Sequence, residues 1–232
     1  MQEFGAAVSL AAAYVLGSTP VGLLVVRVMT GEDVRRLYSG RTGGTNVARA
    51  AGFWAGLATG VGDILKGASA VWLARLLAGG QPWLEAAAGV LAIRGHNYSI
   101  FLMERRDGKL RLHGGAGGAP TMGVALGLWA PSALIIIPIS MLVLFGIGYA
   151  SLATLSIGLL AVGTFAWRAA AGLGPWEYLG FAFAAEGLLA WALRPNIRRL
   201  FEGKERLVGW RARRRPSQDA AAEADKSRGA ER

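Results

Sequence analysis

The sequence predicts an all-α integral membrane protein with seven transmembrane helices, two of them short helices around Pro131. Hydrophobic residues make up 53% of the 232-residue chain, and apolar stretches long enough to span a bilayer recur along it. Arginines concentrate at the ends of those stretches and in the C-terminal tail, as the positive-inside rule leads one to expect. We divide the chain into one transmembrane domain, residues 1–210, and a basic, alanine-rich tail, residues 211–232, which we expect to be disordered.

Composition also narrows the classes of function. The chain has no cysteine, which excludes disulfides and cysteine-based catalysis, and its two histidines, His96 and His113, are too few for a convincing metal site. The net charge of +10 raises the possibility of nucleic acid binding. The placement of the cations at the ends of apolar stretches instead favours anionic lipid headgroups or a small anionic substrate. We therefore expect no metal, no cofactor and no nucleic acid partner.

The first predicted span covers residues 5–29 and contains a patch of small residues, GSTPVG at 17–22. Small residues let another backbone approach closely, and Pro20 can kink the helix. The second span covers residues 53–78, and the third covers residues 82–103 after a short glycine turn. A polar segment, residues 104–118, follows the third span.

The next apolar stretch, residues 121–149, fits either one over-long helix or two short helices broken at Pro131, and charge decides between them. The loop at 30–52 carries four Lys and Arg, the segment at 94–118 carries five, and the turn at 79–81 carries none. These two loops should therefore face the cytoplasm, which places the N-terminus outside. Twelve Lys and Arg after Leu193 place the C-terminus in the cytoplasm.

An outside start and a cytoplasmic end require an odd number of crossings, which seven spans satisfy and six do not. We therefore predict two short helices at residues 120–130 and 132–148. The last two spans are predicted at 151–167 and 175–193, and a helical extension should then run to about Trp210.

Between the first two spans lies a glycine-rich polar loop, residues 39–49, with the sequence SGRTGGTNVAR. Its glycines permit tight turns that bring backbone N–H groups close to a ligand. The loop also holds hydroxyl, amide and guanidinium donors, on Ser39, Thr42, Thr45, Asn46, Arg41 and Arg49. Oriented donors, small side chains and fixed positive charge suit a phosphate, although a flexible basic loop has the same composition.

Further polar features fall on the same predicted side of the membrane. Asp63 and Lys66 share one face of the second span, where either they neutralise each other or Lys66 completes a phosphate site. His96 is either a helix-end hydrogen-bonding residue or a catalyst. Residues 114–118 form a second glycine-rich loop, and Asn196 either caps the C-terminal extension or belongs to a site.

Taken in order, these residues resemble the PlsY family, bacterial membrane acyltransferases that use acyl phosphate to acylate glycerol 3-phosphate. The resemblance runs from about Ala6 to Glu205. The matching motifs are Gly17-Ser18-Thr19-Pro20, Ser39-Gly40-x-x-Gly43-x-Thr45-Asn46-x-x-Arg49, Asp63-x-x-Lys66-Gly67, Gly95-His96, a Gly-Gly-x-Gly loop at 114–117, and Asn196-Ile197-x-Arg199-Leu200-x-x-Gly203-x-Glu205.

The resemblance implies a seven-helix enzyme of the bacterial inner membrane, with its active site facing the cytoplasm. Glycerol 3-phosphate and acyl phosphate would be its substrates, and lysophosphatidic acid its product for phospholipid synthesis. Ser39 and Arg49 would contact the glycerol 3-phosphate phosphate, and Asn46 would shape the loop. The implied catalytic residues are Ser39, Arg49, Lys66, His96 and Asn196. The implied substrate-binding residues are Gly40, Gly43, Thr45, Asn46, Gly114, Gly115, Gly117 and Ser151.

The chain departs from the family pattern at three positions. The family has a lysine inside its Gly-Gly-Lys-Gly loop where this chain has Ala116, a basic residue where it has Gly148, and a histidine where it has Leu193. An insertion separates Met103 from the glycine loop. Lys109 or His113 in that insertion is a candidate replacement for the loop lysine, and we count Lys109 among the predicted substrate-binding residues.

Two other functions remain open from the sequence. A paralogue that has lost catalysis and still binds a phosphorylated metabolite or lipid would explain the missing cations. A small anion channel would use Lys66 to line a pore, but the polar residues of the second span stop after Lys66, whereas a pore needs them through the full membrane thickness.

The odd number of membrane crossings predicts which side of the membrane Ala130 and Ala150 face. A reporter fused near Ala130 should report the outside of the membrane, and one fused near Ala150 should report the cytoplasm, because Pro131 separates two crossings. Reporter-fusion activity in cells measures both positions. The seven-helix topology would be wrong if the two reporters faced the same side.

Overall fold

The computed structural model describes residues 2–106 and 108–209, so the predicted disordered tail at 211–232 lies outside the described residues. Most of this part of the chain is helical. Its elements are α1 (Gln2–Ser18), α2 (Val21–Thr30), the 3₁₀-helix η1 (Val34–Arg36), α3 (Gly44–Ala51), α4 (Phe53–Leu77), α5 (Pro82–Asn97), β1 (Ser99–Arg106), β2 (Lys109–His113), α6 (Gly118–Leu128), α7 (Ser132–Ile147), α8 (Ala150–Ala170) and α9 (Trp176–Phe201).

By length and apolar composition alone, two helical stretches among the described residues qualify as membrane spans, Glu3–Thr30 and Ala150–Ala170, while α6 and α7 are shorter apolar helices. The prediction that the stretch around Pro131 contains two helices is confirmed, because α6 ends at Leu128 and α7 begins at Ser132. The second predicted span coincides with α4 within one residue.

Three boundaries differ from the prediction. The first span is divided between α1 and α2 at Thr19 and Pro20, since proline has no N–H to continue the helix. The third helix ends at Asn97 instead of Met103, and the inserted segment forms an antiparallel β-hairpin that an all-α prediction lacks.

The C-terminal region contains the third difference. Helix α9 continues through Pro195 to Phe201, so Asn196 lies inside the helix and is not its N-cap. The predicted extension to Trp210 is wrong, because the helix stops before Gly203, which has a left-handed φ of 67°.

Helix α4 occupies the centre of the bundle and packs against α1, α2, α3, α5 and α6. Its interface with α1 and α5 is built from alanines, among them Ala13, Ala70 and Ala92. Gly17 packs directly on the backbone of Ala92. These contacts account for the small-residue patch in the first span: without side chains in the way, the helices approach closely enough for dispersion to hold them together.

At the end of α4 nearest its C-terminus, a buried carboxylate joins four helices. Glu85 of α5 is 2% exposed and accepts hydrogen bonds from Arg75 at 2.9 and 2.6 Å and from the Tyr178 hydroxyl at 2.7 Å. Arg75 also donates to the carbonyl of Gly127, at 3.2 Å. The network therefore ties α4, α5, α6 and α9 together with its charges neutralised.

This network predicts an order of stability among three variants. Arg75→Met leaves the buried Glu85 carboxylate without its cation and should cost about 1–3 kcal/mol of unfolding free energy. Tyr178→Phe removes one hydrogen bond and should cost roughly 0.5–1.5 kcal/mol. Arg27→Met, at an exposed position of α2, is the control. Thermal unfolding midpoints in one detergent give the order, and equal midpoints for Arg75→Met and Arg27→Met would contradict it.

Candidate functional site

The loop at 39–49 is held in shape by the side chain of Asn46, which is 3% exposed. Its Oδ1 accepts the backbone N–H of Ser39 at 3.1 Å, and its Nδ2 donates to the carbonyls of Arg41 at 2.8 Å and Leu37 at 3.2 Å. A single amide thus satisfies backbone groups on both sides of the turn. Ser39 itself lies exposed at the surface of the loop, as does Thr45.

Glycines let this loop dock closely on the helices beneath it. Gly22 of α2 packs on the carbonyl of Thr42, and a Cβ on Gly44 would lie 2.8 Å from the carbonyl oxygen of Gly56 in α4. Gly40 has a φ of 70°, a conformation that favours glycine. Gly43 precedes the first turn of α3, where its carbonyl accepts the N–H of Asn46 at 3.0 Å. The loop is therefore ordered against α2 and α4.

The second glycine-rich loop, residues 114–117, lies against the first. The Thr42 N–H points to the carbonyl of Gly114 at 3.4 Å, and Gly115 donates to the carbonyl of His96 at 3.1 Å. Gly115 also packs on the imidazole of His96, where a side chain would collide with the ring. The structure thus brings together two predicted loops and the end of α5, which are far apart in sequence.

Lys66 and His96 meet below these loops. The Lys66 ammonium lies 2.9 Å from Asp63 Oδ1, 2.9 Å from His96 Nδ1 and 2.9 Å from the carbonyl oxygen of Thr19. The side chains of Asp63, Lys66 and His96 are all buried. The ammonium therefore forms an ion pair with Asp63 and hydrogen bonds with the Thr19 carbonyl and the His96 imidazole. Of the two interpretations from sequence, this geometry favours internal pairing with Asp63, and it also joins Lys66 to His96 and to the break in the first span.

Ser151 and Asn196 come together through Glu205, the last residue of the C-terminal motif, to which the sequence assigned no role. Glu205 Oε1 accepts hydrogen bonds from Asn196 Nδ2 at 2.8 Å and from the Ser151 hydroxyl at 3.2 Å. Its Oε2 accepts from Arg199 at 3.0 Å. Val208 then donates to the carbonyl of Gly148 at 2.8 Å. The segment after α9 is thereby fastened to the start of α8.

Cations gather around this carboxylate. Burial and the charge of Arg199 lower the pKa of Arg41, while burial and Arg206 lower the pKa of Arg49; Glu205 opposes both shifts. Among the described residues neither Arg41 nor Arg49 forms a salt bridge, and Arg41 donates to the carbonyl of Ala192 at 2.6 Å. Arg41 and Arg49 are therefore partly buried cations near further arginines, and the single carboxylate of Glu205 does not balance their charge.

Lys109 is not brought to the site. It begins β2 at the far end of the hairpin, where it is exposed and pairs with Arg106 across the strands. At about 3.3 Å per residue, the strand separates it from Gly114 by roughly 16 Å. His113 lies closer to the loop but faces Glu104, with Nε2 at 3.5 Å from the carboxylate. Lys109 is thus remote from the glycines, and the His113 imidazole is engaged with Glu104.

At the other two positions where the chain departs from the family pattern, the residues have structural roles. Leu193 is 2% exposed in the apolar interior, and Gly148 ends α7 in a left-handed conformation with a φ of 90°. Asn97 lies at the site without having been predicted there: its buried amide has no hydrogen-bond partner in the described part of the chain and lies beside Gly117. An asparagine at a helix end gives no signal in sequence that distinguishes it from an ordinary cap.

Because Gly115 packs on His96, we expect a glycine-to-alanine substitution to lower the unfolding free energy more at Gly115 than at Gly43. Gly115→Ala should displace the imidazole and cost about 1–3 kcal/mol of unfolding free energy through overpacking. Gly43→Ala is the matched control, because a Cβ there meets nothing within 4 Å among the described residues. Unfolding midpoints of both variants measure the contrast. Equal midpoints would show that the second loop does not pack on His96.

Comparison with known proteins identifies the family of this fold and site. The family model described as glycerol-3-phosphate acyltransferase matches residues 7–203. The chain is 37% identical over 203 residues to a glycerol-3-phosphate acyltransferase of Thermus thermophilus, covering 88% of this chain and 95% of that protein. It is also 37% identical over 199 residues to the enzyme of that name from Rubrobacter xylanophilus, covering 86% and 93%.

Two crystal structures of PlsY, an integral membrane glycerol 3-phosphate acyltransferase, share the fold. The glycerol 3-phosphate form matches with a TM-score of 0.75 and 29% identity, covering 88% of this chain and 96% of that one. The lysophosphatidic acid form matches with a TM-score of 0.73 and 28% identity, covering 88% and 95%. The chain therefore belongs to the glycerol-3-phosphate acyltransferase family.

Proposed function

We propose that this membrane protein transfers an acyl group from acyl phosphate to the sn-1 hydroxyl of glycerol 3-phosphate, giving lysophosphatidic acid for phospholipid synthesis. Acyltransferase activity on glycerol 3-phosphate follows from family membership. The observation that carries the finer proposal is the pair of partly buried arginines in the first glycine-rich loop, Arg41 and Arg49, neither of which forms a salt bridge among the described residues. Positive charge that the protein does not neutralise is what two phosphorylated substrates require.

The reaction does not require a covalent bond between the protein and the acyl group. The glycerol 3-phosphate hydroxyl oxygen bonds to the acyl carbonyl carbon, the carbon–oxygen bond to phosphate breaks, and the hydroxyl proton ends on the released inorganic phosphate. Because the mixed anhydride is already activated, positioning both anions and stabilising developing charge can supply most of the rate. This is consistent with a site built from glycines, arginines and amides.

The proposed roles follow the positions of the side chains. Ser39 and Arg49 bind the phosphate of glycerol 3-phosphate, and the backbone of both glycine loops lines the phosphate positions. Asn46 keeps the first loop in shape through its three short hydrogen bonds. Asn196 and Ser151 act through Glu205, which orients Arg199. Lys66, paired with Asp63, positions His96.

We also propose seven crossings of the bacterial inner membrane, made by the α1–α2 pair and by α4, α5, α6, α7, α8 and α9. The N-terminus would lie outside, and the site would face the cytoplasm. This proposal is supported by the arrangement of charge. The unbalanced cations lie where α2, α5 and α9 end, while the opposite end of α4 carries the neutralised Arg75–Glu85 pair. A channel would need polar groups through the whole bundle, and this separation favours a surface site.

Replacing Arg49 tests the phosphate role. Arg49→Ala should weaken glycerol 3-phosphate binding by roughly ten- to a hundred-fold, because it removes a charge-assisted contact of about 1.5–3 kcal/mol. Arg36→Ala, at an exposed position of η1, should change binding little. Titration calorimetry on detergent-purified protein measures both. Comparable losses would mean that the loop is only a basic surface.

Phosphate release tests the reaction itself. Purified protein supplied with acyl phosphate and glycerol 3-phosphate should release inorganic phosphate in step with lysophosphatidic acid. Binding of glycerol 3-phosphate without release would instead support the non-catalytic paralogue that Ala116 and Leu193 suggest. A parent protein that neither binds nor turns over would refute the proposed function.

A further inference from the structure

The side chain of Arg41 crosses from the first glycine loop to the last helix. Its Nη2 donates to the carbonyl of Ala192 at 2.6 Å, although the two residues are 151 positions apart. The residue is half-buried, and its charge interacts with Arg199 and Glu205. The guanidinium group is therefore placed by contacts within the site and does not extend freely into solvent.

The same helix locates Arg41 relative to the second glycine loop. A Cβ built on Gly117 would lie 3.1 Å from Leu189 Cδ2. Leu189 and Ala192 are three positions apart on α9, which puts them on one face with a rise of about 4.5 Å between them. Arg41 thus reaches α9 one helical turn from the point where loop 114–117 packs. Thr42, the next residue, points its N–H at Gly114.

The remaining donors of Arg41 have no assigned acceptor among the described residues. A guanidinium group has five N–H donors, and the structure gives Arg41 one hydrogen bond, to a neutral carbonyl, and no salt bridge in the described part of the chain. Glu205 offsets part of this charge without forming a salt bridge to it, and a partly buried cation that lacks a close anion is costly. An anion bound beside it would remove that cost.

From this geometry we propose that Arg41 binds a substrate phosphate at the edge of loop 114–117, supplying the cation that Ala116 does not. The proposal rests on the proposed function and gives a specific location and role to Arg41, which the sequence suggested only as one of several donors in the loop. The phosphate belongs either to acyl phosphate or to glycerol 3-phosphate. The same side chain donates to the backbone carbonyl that precedes Leu193. In this proposal Arg41 therefore lies close to both Ala116 and Leu193, two of the positions where the chain departs from the family pattern.

A purely structural role is the competing explanation, because the bond to Ala192 fastens the first loop to α9. The two roles respond differently to charge. Arg41→Lys keeps the positive charge, whereas Arg41→Gln keeps an N–H donor without it. Steady-state kinetics with each substrate varied in turn will show which phosphate is affected. The unfolding midpoint of each variant reports the structural contribution separately.

We expect Arg41→Gln to raise KM for one of the two substrates by roughly ten- to a hundred-fold, and Arg41→Lys to stay within about five-fold of the parent. Arg36→Gln, exposed in η1, should leave both constants unchanged. Ala116→Lys should alter the parent little but restore much of the loss in the Arg41→Gln background. Absence of that recovery would overturn the location beside loop 114–117.

Equal KM values for Arg41→Gln and the parent would overturn the Arg41 proposal and leave the proposed function standing. A lower unfolding midpoint with unchanged KM in both Arg41 variants would mean that the residue only fastens the loop. Thermal stabilisation by glycerol 3-phosphate and by inorganic phosphate provides a readout that needs no turnover. If neither ligand stabilises the parent and it transfers no acyl group, the proposed function fails and this inference with it.

Discussion

The site depends on one constraint: the backbone N–H and C=O groups that the irregular loops bury against the helices must find partners inside the protein. Asn46 meets that constraint for the first loop, because its amide bonds to three backbone positions at once. The second loop meets it through the carbonyl of His96. Glycines make both arrangements possible, since a side chain at Gly44 or Gly115 would collide with α4 or with the imidazole.

The charged side chains are neutralised at one end of the bundle and lack salt-bridge partners among the described residues at the other. At one end, Arg75, Glu85 and Tyr178 satisfy one another, and such a closed network can tie helices together without leaving charge for a ligand. At the other end, Arg41 and Arg49 have no salt-bridge partner among the described residues, and Glu205 is shared among several donors. Unbalanced charge at a partly buried position destabilises the empty protein and favours binding of an anion.

The departures from the family pattern become interpretable in this setting. Ala116 removes a cation from the second loop, and the hairpin places Lys109 too far away to replace it. Arg41 approaches the same region from the first loop and from α9. A site whose catalysis consists mainly of electrostatic positioning tolerates such an exchange, because the position of the charge matters more than the segment that carries it.

The membrane class, the glycine loops, the break at Pro131 and the family motifs could all be predicted from the sequence, because apolar length, charge placement and glycine spacing are local properties. The sequence did not determine the hairpin or the end of α5, since strand pairing and burial depend on distant residues. Tertiary structure alone decided that Lys66 faces Thr19 and His96, that Glu205 joins Ser151 to Asn196, and that Arg41 reaches Ala192. Each of these contacts joins residues from separate elements, and local pattern carries no information about which donors and acceptors folding will bring together.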